Sequence, residues 1–163
     1  MVDVQLFAWY SSRAREAFWF YSNIFGVSDG DSPHRDDSSA EEFVSGRIRV
    51  GEIDLVVFNG EPHGDFSFSS ALSIFLTCED QSEVDFYWES LSRGGEPGRC
   101  GWLRDPYGLS WQIVPRAFHD LMADPDLGVR ERVRAAMRGM DKFEVAELYR
   151  AAEGLSHPET SLE

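Results

Sequence analysis

The residues best suited to chemistry lie in one aromatic segment, residues 96–115. It carries Trp102, Trp111, Cys100 and Gln112, so that large rings are mixed with a few polar side chains. Small-molecule clefts have this composition, because aromatic walls bury the ligand and a few polar groups orient it. Neighbouring residues of a strand face opposite sides, so Trp111 and Gln112 cannot both point into one cleft. We expect Gln112 to face the cleft and Trp111 to pack beneath a helix.

Two further side chains, His63 and Glu96, could act as bases beside a carbonyl group. His63 ends the glycine-containing stretch N-G-E-P-H, and the alternative for it is a turn histidine exposed to solvent. Glu96 lies in the stretch G-G-E-P-G, which follows a helical pattern. A phosphate-binding loop must precede a helix, so this stretch predicts a helix end and a turn instead.

Several classes of site have no support in the sequence. No two histidines have the helical or strand spacing that would let them share a metal ion. No strand ends in a G-x-G motif that opens a helix, as Rossmann-like sites for S-adenosylmethionine or nicotinamide require. The G-x-S-x-G nucleophile motif is also absent.

Composition and charge restrict the partners. The chain has 163 residues, with 15 Lys and Arg against 29 Asp and Glu, so its net charge is −14. This charge repels phosphate backbones, and we expect no nucleic-acid partner. No run of about 18 apolar residues occurs and the start, Met1-Val2-Asp3, lacks a basic leader, so we expect no membrane partner and a cytoplasmic location. Cys78 and Cys100 have no paired spacing and are expected to be thiols.

The pattern of apolar residues predicts the same strand and helix twice. Residues 2–10 alternate as a strand does, and a helical stripe follows, comprising Ala17, Phe20, Tyr21 and Ile24. The second strand is expected over residues 72–78, and its helical stripe comprises Val84, Tyr87, Trp88 and Leu91. Ser11 and Ser12 are expected to cap the first helix, and Asp80 with Glu83 the second.

Each half continues with two strand-like runs, residues 43–50 and 53–58 in the first and residues 98–103 and 109–114 in the second. A single ferredoxin-like sheet is the alternative, but it allows only two strands between its helices. The sequence therefore predicts an α+β fold of two tandem βαβββ modules forming a curled mixed sheet with a cleft, plus C-terminal helices. The expected parts of this one compact domain are a first module (1–58), a connector (59–71), a second module (72–115), a helical extension (116–155) and a tail (156–163).

The extension and one loop complete the expected architecture. Helical patterns cover residues 117–123, 129–140 and 145–152, and Asp141 with Glu144 is expected to cap the last of them. Residues 28–42 are almost entirely polar and predict a surface loop.

The run C-G-W-L-R-D-P-Y-G-L-S-W-Q-I-V-P that starts at Cys100, with residues 59–63 and 83–88, resembles the PhnB-like branch of the glyoxalase/bleomycin-resistance (vicinal oxygen chelate) superfamily. The resemblance extends from Val4 to Ala152, and members often carry the label demethylubiquinone methyltransferase. It implies paired βαβββ modules whose sheets curl around a cleft, usually in a homodimer. In place of an early strand of the family, this chain has the polar run 28–42, so the first sheet is expected to be one strand short or irregular.

The resemblance also implies where a metal would bind. The superfamily holds a divalent ion with a His from the first strand of each module and a Glu from the last strand, and these positions correspond here to Gln5, Ser73 and Gln112. Neutral amides and a hydroxyl supply no charge to offset a dehydrated divalent ion. We therefore expect no metal and no other cofactor.

Three functions remain open at this stage. The first is a metal-free binder of an unknown small molecule, whose expected ligand-binding residues are Gln5, Trp9, Ser73, Cys100, Trp102 and Gln112. The second is a lyase or isomerase that acts beside a carbonyl, with His63 or Glu96 as the catalytic base. The third is a structural or interaction homodimer with a filled cleft.

Overall fold

In a computed structural model, the chain twice repeats the order strand, helix and three strands, and it ends in three helices. The first repeat comprises β1 (Gln5–Tyr10), α1 (Ala14–Phe25), β2 (His34–Arg35), β3 (Phe43–Val50) and β4 (Ile53–Asn59). The second comprises β5 (Ile74–Cys78), α2 (Gln81–Ser92), β6 (Glu96–Pro97), β7 (Trp102–Arg104) and β8 (Ser110–Pro115). The extension comprises α3 (Arg116–Met122), α4 (Leu127–Arg138) and α5 (Val145–Ala152). The structure describes residues 2, 4–26, 34–35, 43–61 and 67–155.

The chain forms two units, Met1–Ser67 and Phe68–Glu163, and each unit contains one four-stranded sheet. The strand orders are β1-β4-β3-β2 and β5-β8-β7-β6. In each sheet the first and last strands of the module pair in parallel, and the other pairs are antiparallel. The repeated order confirms the predicted α+β class with two βαβββ modules and C-terminal helices, and it rules out a single ferredoxin-like sheet.

The shortest strands lie at one edge of each sheet. β2 has two residues and its pairing with β3 shifts register, so the first sheet is irregular at the expected place, while the rest of the run 28–42 lies outside the described residues. In the second sheet, the predicted strand 98–103 is observed only from Trp102. A tight loop precedes that strand, because Gly98 N donates to Trp102 O at 2.8 Å and Trp102 N donates to Arg99 O at 3.1 Å.

α1 packs closely on the first sheet because the sheet offers it a glycine. A Cβ atom at Gly46 would lie 2.3 Å from the ring of Phe18, so a larger residue would push the helix away. Ala17, Phe18 and Tyr21 of the helix are fully buried. Ala17 and Tyr21 of the predicted stripe therefore face the sheet together with Phe18. The other two residues of that stripe, Phe20 and Ile24, are only half-buried. No other described helix of this unit covers the opposite face of the sheet.

The start of α2 confirms the predicted capping residues. Asp80 Oδ1 accepts from Glu83 N at 3.0 Å, and Glu83 Oε2 accepts in return from Glu79 N at 2.8 Å. Such an arrangement satisfies amide donors that have no partner within the helix.

The two other predicted caps are wrong. The residue before α1 is Arg13, which has a left-handed φ of 63°, and no side chain caps that helix, so Ser11 and Ser12 lie outside it. At α5, neither Asp141 nor Glu144 provides the cap. Gln81 of α2 does so instead, because its Oε1 accepts from Val145 N at 2.7 Å. A distant side chain has replaced a local one, which a sequence pattern does not reveal.

No helix in the described part of the chain has the length and apolar character needed to cross a membrane.

Candidate functional site

Asp105 and Trp111, in the run that carries the family resemblance, have a structural role. The carboxylate of Asp105 accepts from the backbone N–H groups of Tyr107 and Leu109 at 2.9 and 3.1 Å, which shapes the turn before β8. Its other oxygen accepts from Trp111 Nε1 at 2.8 Å. Trp111 is 0% exposed, on a strand against which α2 packs. It belongs to the core and not to an open site, in agreement with the expectation from strand alternation.

The other face of the second sheet carries a row of three planar side chains. Gln112 of β8 lies opposite Phe75 of β5 on one side and opposite Trp102 of β7 on the other. Because adjacent strands are about 4.8 Å apart, the two aromatic residues are separated by about 10 Å with the amide between them. Phe75 is 46% exposed, and Trp102 and Gln112 are half-buried. We call these three residues the aromatic–amide row.

The amide in this row is held by a side-chain hydrogen bond. Gln112 Nε2 donates to Ser73 Oγ at 2.9 Å, and no described residue donates to Gln112 Oε1. Ser73 and Gln112, two of the three predicted polar residues, are therefore brought together. The bond also orients Gln112 Oε1, which can accept a hydrogen bond from a ligand.

These donors do not fit a divalent metal. Ser73 and Gln112 are neutral and bonded to each other, and Gln5 is a neutral amide on β1. Among the described residues, no three His, Cys, Asp or Glu side chains lie close enough together to hold an ion. The usual two-His-one-carboxylate chemistry has no ligand set in this part of the chain.

The turns after the first strand of each module do not fit a nucleotide-like cofactor. Residues 11–13 follow β1 and residues 79–80 follow β5, and neither turn contains a glycine. Rossmann-like sites for S-adenosylmethionine or nicotinamide need a glycine-rich turn that lets the cofactor approach the helix N-terminus.

Glu96, one of the two predicted bases, lies on β6 at the edge of the second sheet. It forms an ion pair with Arg104, which sits opposite it on β7, and both side chains are more than half exposed. Both line a cavity of about 310 Å³, which is also bordered by Trp102 and Ser110. The other predicted base, His63, lies outside the described residues.

The predicted residues of the first module lie on the open face of their own sheet. Trp9 packs edge-on against Phe58 at a centroid distance of 5.5 Å, and its Nε1 donates to Gly60 O at 3.0 Å. Gln5 is exposed and lies opposite Asp54, whose carboxylate accepts from Arg49 at 3.3 Å. This face therefore has an aromatic end and a charged end.

Cys100 is not on an open sheet face. Its N–H donates to Met140 O at 2.8 Å, and its thiol lies 3.5 Å from Met137 O, next to the C-terminal end of α4. Its left-handed φ of 57° belongs to the loop between β6 and β7. Cys100 therefore helps to hold the helical extension in place and is not part of the open face of the second sheet.

One residue near the aromatic–amide row was not singled out from the sequence. The ring of His119 on α3 lies 5.6 Å from the ring of Phe75. The sequence placed His119 on a helix but held no signal that this helix would approach the edge strand β5. Such a contact depends on tertiary packing.

Comparisons with known proteins agree with this fold. Residues 3–114 match the profile of the 3-demethylubiquinone-9 3-methyltransferase family. Protein PA1353 from Pseudomonas aeruginosa is 21% identical with a TM-score of 0.56, and the match covers 71% of this chain and 98% of that one. The PhnB protein from Bacillus cereus is 23% identical with a TM-score of 0.57, covering 70% and 99%. A glyoxalase/bleomycin resistance protein from Albidiferax ferrireducens T118 is 14% identical with a TM-score of 0.42, covering 68% and 94%. No curated protein matches the chain.

Proposed function

Since the chain belongs to the 3-demethylubiquinone-9 3-methyltransferase family, within the glyoxalase/bleomycin-resistance fold, we propose that it binds a planar small molecule without a metal. The proposed site is the open face of the second sheet. The turns after β1 and β5 do not fit S-adenosylmethionine, so methyl transfer is not part of the proposal.

The aromatic–amide row is the observation that supports this function most directly. Two rings on either side of an oriented amide offer stacking surfaces and one hydrogen-bond acceptor to a flat ligand. The bond from Gln112 to Ser73 fixes the amide before a ligand arrives, which lowers the entropy cost of binding.

Titration of the full chain with naphthalene, followed by tryptophan fluorescence, tests the proposal. Replacing Trp102 or Phe75 by Leu removes an aromatic surface while keeping an apolar side chain, and we expect affinity to fall about five-fold in each case. The Trp102→Leu variant retains Trp111 and Trp9 as reporters.

Phe86→Leu is the matched control, because Phe86 is 50% exposed but lies on α2, which packs on the other face of the sheet. Its affinity for naphthalene should equal that of the parent. Equal effects of the Phe75 and Phe86 substitutions, or no saturable binding at all, would contradict the proposed site.

Carbonyl chemistry receives less support from the described residues. The carboxylate of Glu96 is paired with Arg104 and its side chain is 70% exposed, so it is not enclosed in a site that would exclude water from a reacting carbonyl. A lyase or isomerase therefore stays the second candidate, and loss of a measured turnover in Glu96→Gln would be needed to support it.

We also propose that the protein is a cytoplasmic homodimer. The family resemblance supports the dimer, as do Leu127 and Tyr149 of the extension, which expose large apolar surfaces. The sequence pattern of α4 gives a further apolar stripe that could face a partner, comprising Val129, Val133, Met137 and Met140. This stripe supports the dimer less, because Val133 is fully buried within its own chain. Sedimentation equilibrium at micromolar concentration should give twice the mass of one chain, and a monomer mass would contradict the dimer.

A further inference from the structure

The helical extension lies outside the region shared with the family. The family profile ends at residue 114, and α3 begins at Arg116. The relatives from Pseudomonas aeruginosa and Bacillus cereus are matched over almost their whole length by about 70% of this chain. The extension is therefore an addition to the shared fold, and its contacts indicate what it adds.

One end of the extension reaches the β5 side of the aromatic–amide row. His119 lies 5.6 Å from Phe75, the outermost ring of the row on the β5 side, with their rings inclined at 54°. The imidazole is therefore a fourth planar group next to that end of the row. α3 is held at this position because Arg116 binds Glu79, at the end of β5, through Nε at 2.8 and 2.9 Å.

The other end of the extension fixes the loop before Trp102. Three carbonyl groups at and just beyond the C-terminal end of α4 accept from this loop: Arg138 O from the side chain of Arg99 at 2.7 Å, Met140 O from Cys100 N and Asp141 O from Gly101 N. Such carbonyls have no partner inside a helix, so the loop and the helix end satisfy each other. Gly101 O in turn accepts from Ile113 N at 2.8 Å, next to Gln112.

We propose that the extension is a specificity-determining part of the ligand site. It holds Trp102 in place at one end of the aromatic–amide row and places a hydrogen-bonding imidazole at the other. The site then prefers a planar aromatic ligand with an acceptor group, such as a carboxylate, at the end that lies over Phe75. This inference rests on the proposed binding function.

Two probes that differ only in that group test the inference: naphthalene and 2-naphthoate, each titrated against the full chain. The parent should bind 2-naphthoate more tightly than naphthalene. In His119→Phe the ring is kept and the hydrogen bond is lost, so affinity for 2-naphthoate should fall about ten-fold while affinity for naphthalene is unchanged. Glu131→Gln, an exposed substitution on α4 of the same extension, is the control and should leave both affinities as they are in the parent.

The outcomes separate the inference from the function on which it rests. If Trp102→Leu and Phe75→Leu weaken binding of naphthalene but His119→Phe changes both probes equally or neither, the role of His119 is overturned and the binding site stands. If none of these variants changes binding of either probe, or neither probe binds, the proposed function fails and the inference fails with it.

Discussion

Trp111 and Asp105 form a buried pair that stabilises the folded state through a hydrogen bond. Trp111→Phe keeps an aromatic ring in the core but removes the hydrogen bond that Trp111 Nε1 donates to Asp105 Oδ2. Because Asp105 is 3% exposed, its carboxylate then loses a partner that water cannot readily replace. We expect unfolding in urea to become easier by about 2–3 kcal/mol.

Trp102→Phe provides the comparison for that substitution, because Trp102 is half-buried and lies on the open face of the same sheet. Its effect on stability should stay below about 1 kcal/mol. Equal stabilities of the two variants would show that the Asp105 bond contributes nothing.

The buried thiol of Cys78 leads us to expect a loss of stability at high pH. Burial, followed by the nearby charges of Glu83, Asp80 and Glu79, raises the pKa of its thiol from 9.0 to about 12. The folded state therefore retains a proton that the unfolded chain releases, so this contribution is complete below pH 9 and is lost as the pH rises towards 12.

Urea unfolding at pH 8 and at pH 10.5 should show a larger loss of stability in the parent than in Cys78→Ala, which has no thiol to titrate. Identical losses in the two proteins would show that the Cys78 thiol ionises as easily in the folded state as in the unfolded chain.

At the residue scale, strand alternation correctly predicted on which face of the sheet a side chain lies. It separated Trp111 from Gln112 because the period of a strand is two and one face of this sheet is covered by a helix. It did not reveal that Cys100 would turn towards α4, or that His119 would reach Phe75. Both contacts are made by elements whose relative placement depends on packing between distant parts of the chain.

At the scale of elements, Gln81 joins α2 to the extension. Its Oε1 accepts from Val145 N at 2.7 Å, and its Nε2 donates to Phe143 O at 3.0 Å and to Asp85. Asp85 also binds Lys142, and this hydrogen bond lowers the pKa of the carboxyl group and raises that of the ammonium group.

Gln81→Ala removes the cap of α5 together with both donor contacts. We expect a loss of about 1–2 kcal/mol in the free energy of unfolding, measured in urea. Glu89→Ala, an exposed substitution on the same helix, should change stability by less than about 0.5 kcal/mol. If both variants are equally stable, the cap seen at Val145 has no energetic role.

Local capping patterns predicted the start of α2 and failed at α1 and α5. Asp80 and Glu83 are three residues apart, so the whole interaction is visible in the sequence. At α5 the cap comes from a residue 64 positions earlier, and at α1 the chain turns through the left-handed conformation of Arg13. A sequence pattern within one segment reveals neither the distant cap of α5 nor the left-handed turn before α1.

At the scale of the whole molecule, the net charge of −14 predicts a response to salt. Added salt weakens exposed ion pairs such as those of Glu79 with Arg116 and Glu96 with Arg104, but each contributes little in water. Repulsion among the excess carboxylates is screened at the same time.

We expect this second effect to dominate, so that the thermal midpoint rises between low and about 0.5 M sodium chloride. A midpoint that falls over this range would show that the ion pairs outweigh the repulsion.

The whole-molecule plan was predictable because it repeats. Two strands and two helical stripes, 67 residues apart, identified the modules before any pairing was known. The two-residue strands β2 and β6 were not predicted, since two residues cannot display a period.

The distant cap of α5 also bears on the order in which the chain folds. An isolated helix of eight residues is too short to persist in water, so α5 depends on tertiary contacts, among them the bond from Val145 N to Gln81 and its packing on α4. We therefore expect the last helix to assemble on a surface that α2 and α4 already provide. Because α5 lies at the end of the described chain and depends on that surface, it would also be the first helix to open. Hydrogen exchange at its amides would then report whether the extension is docked, independently of whether the sheets remain folded.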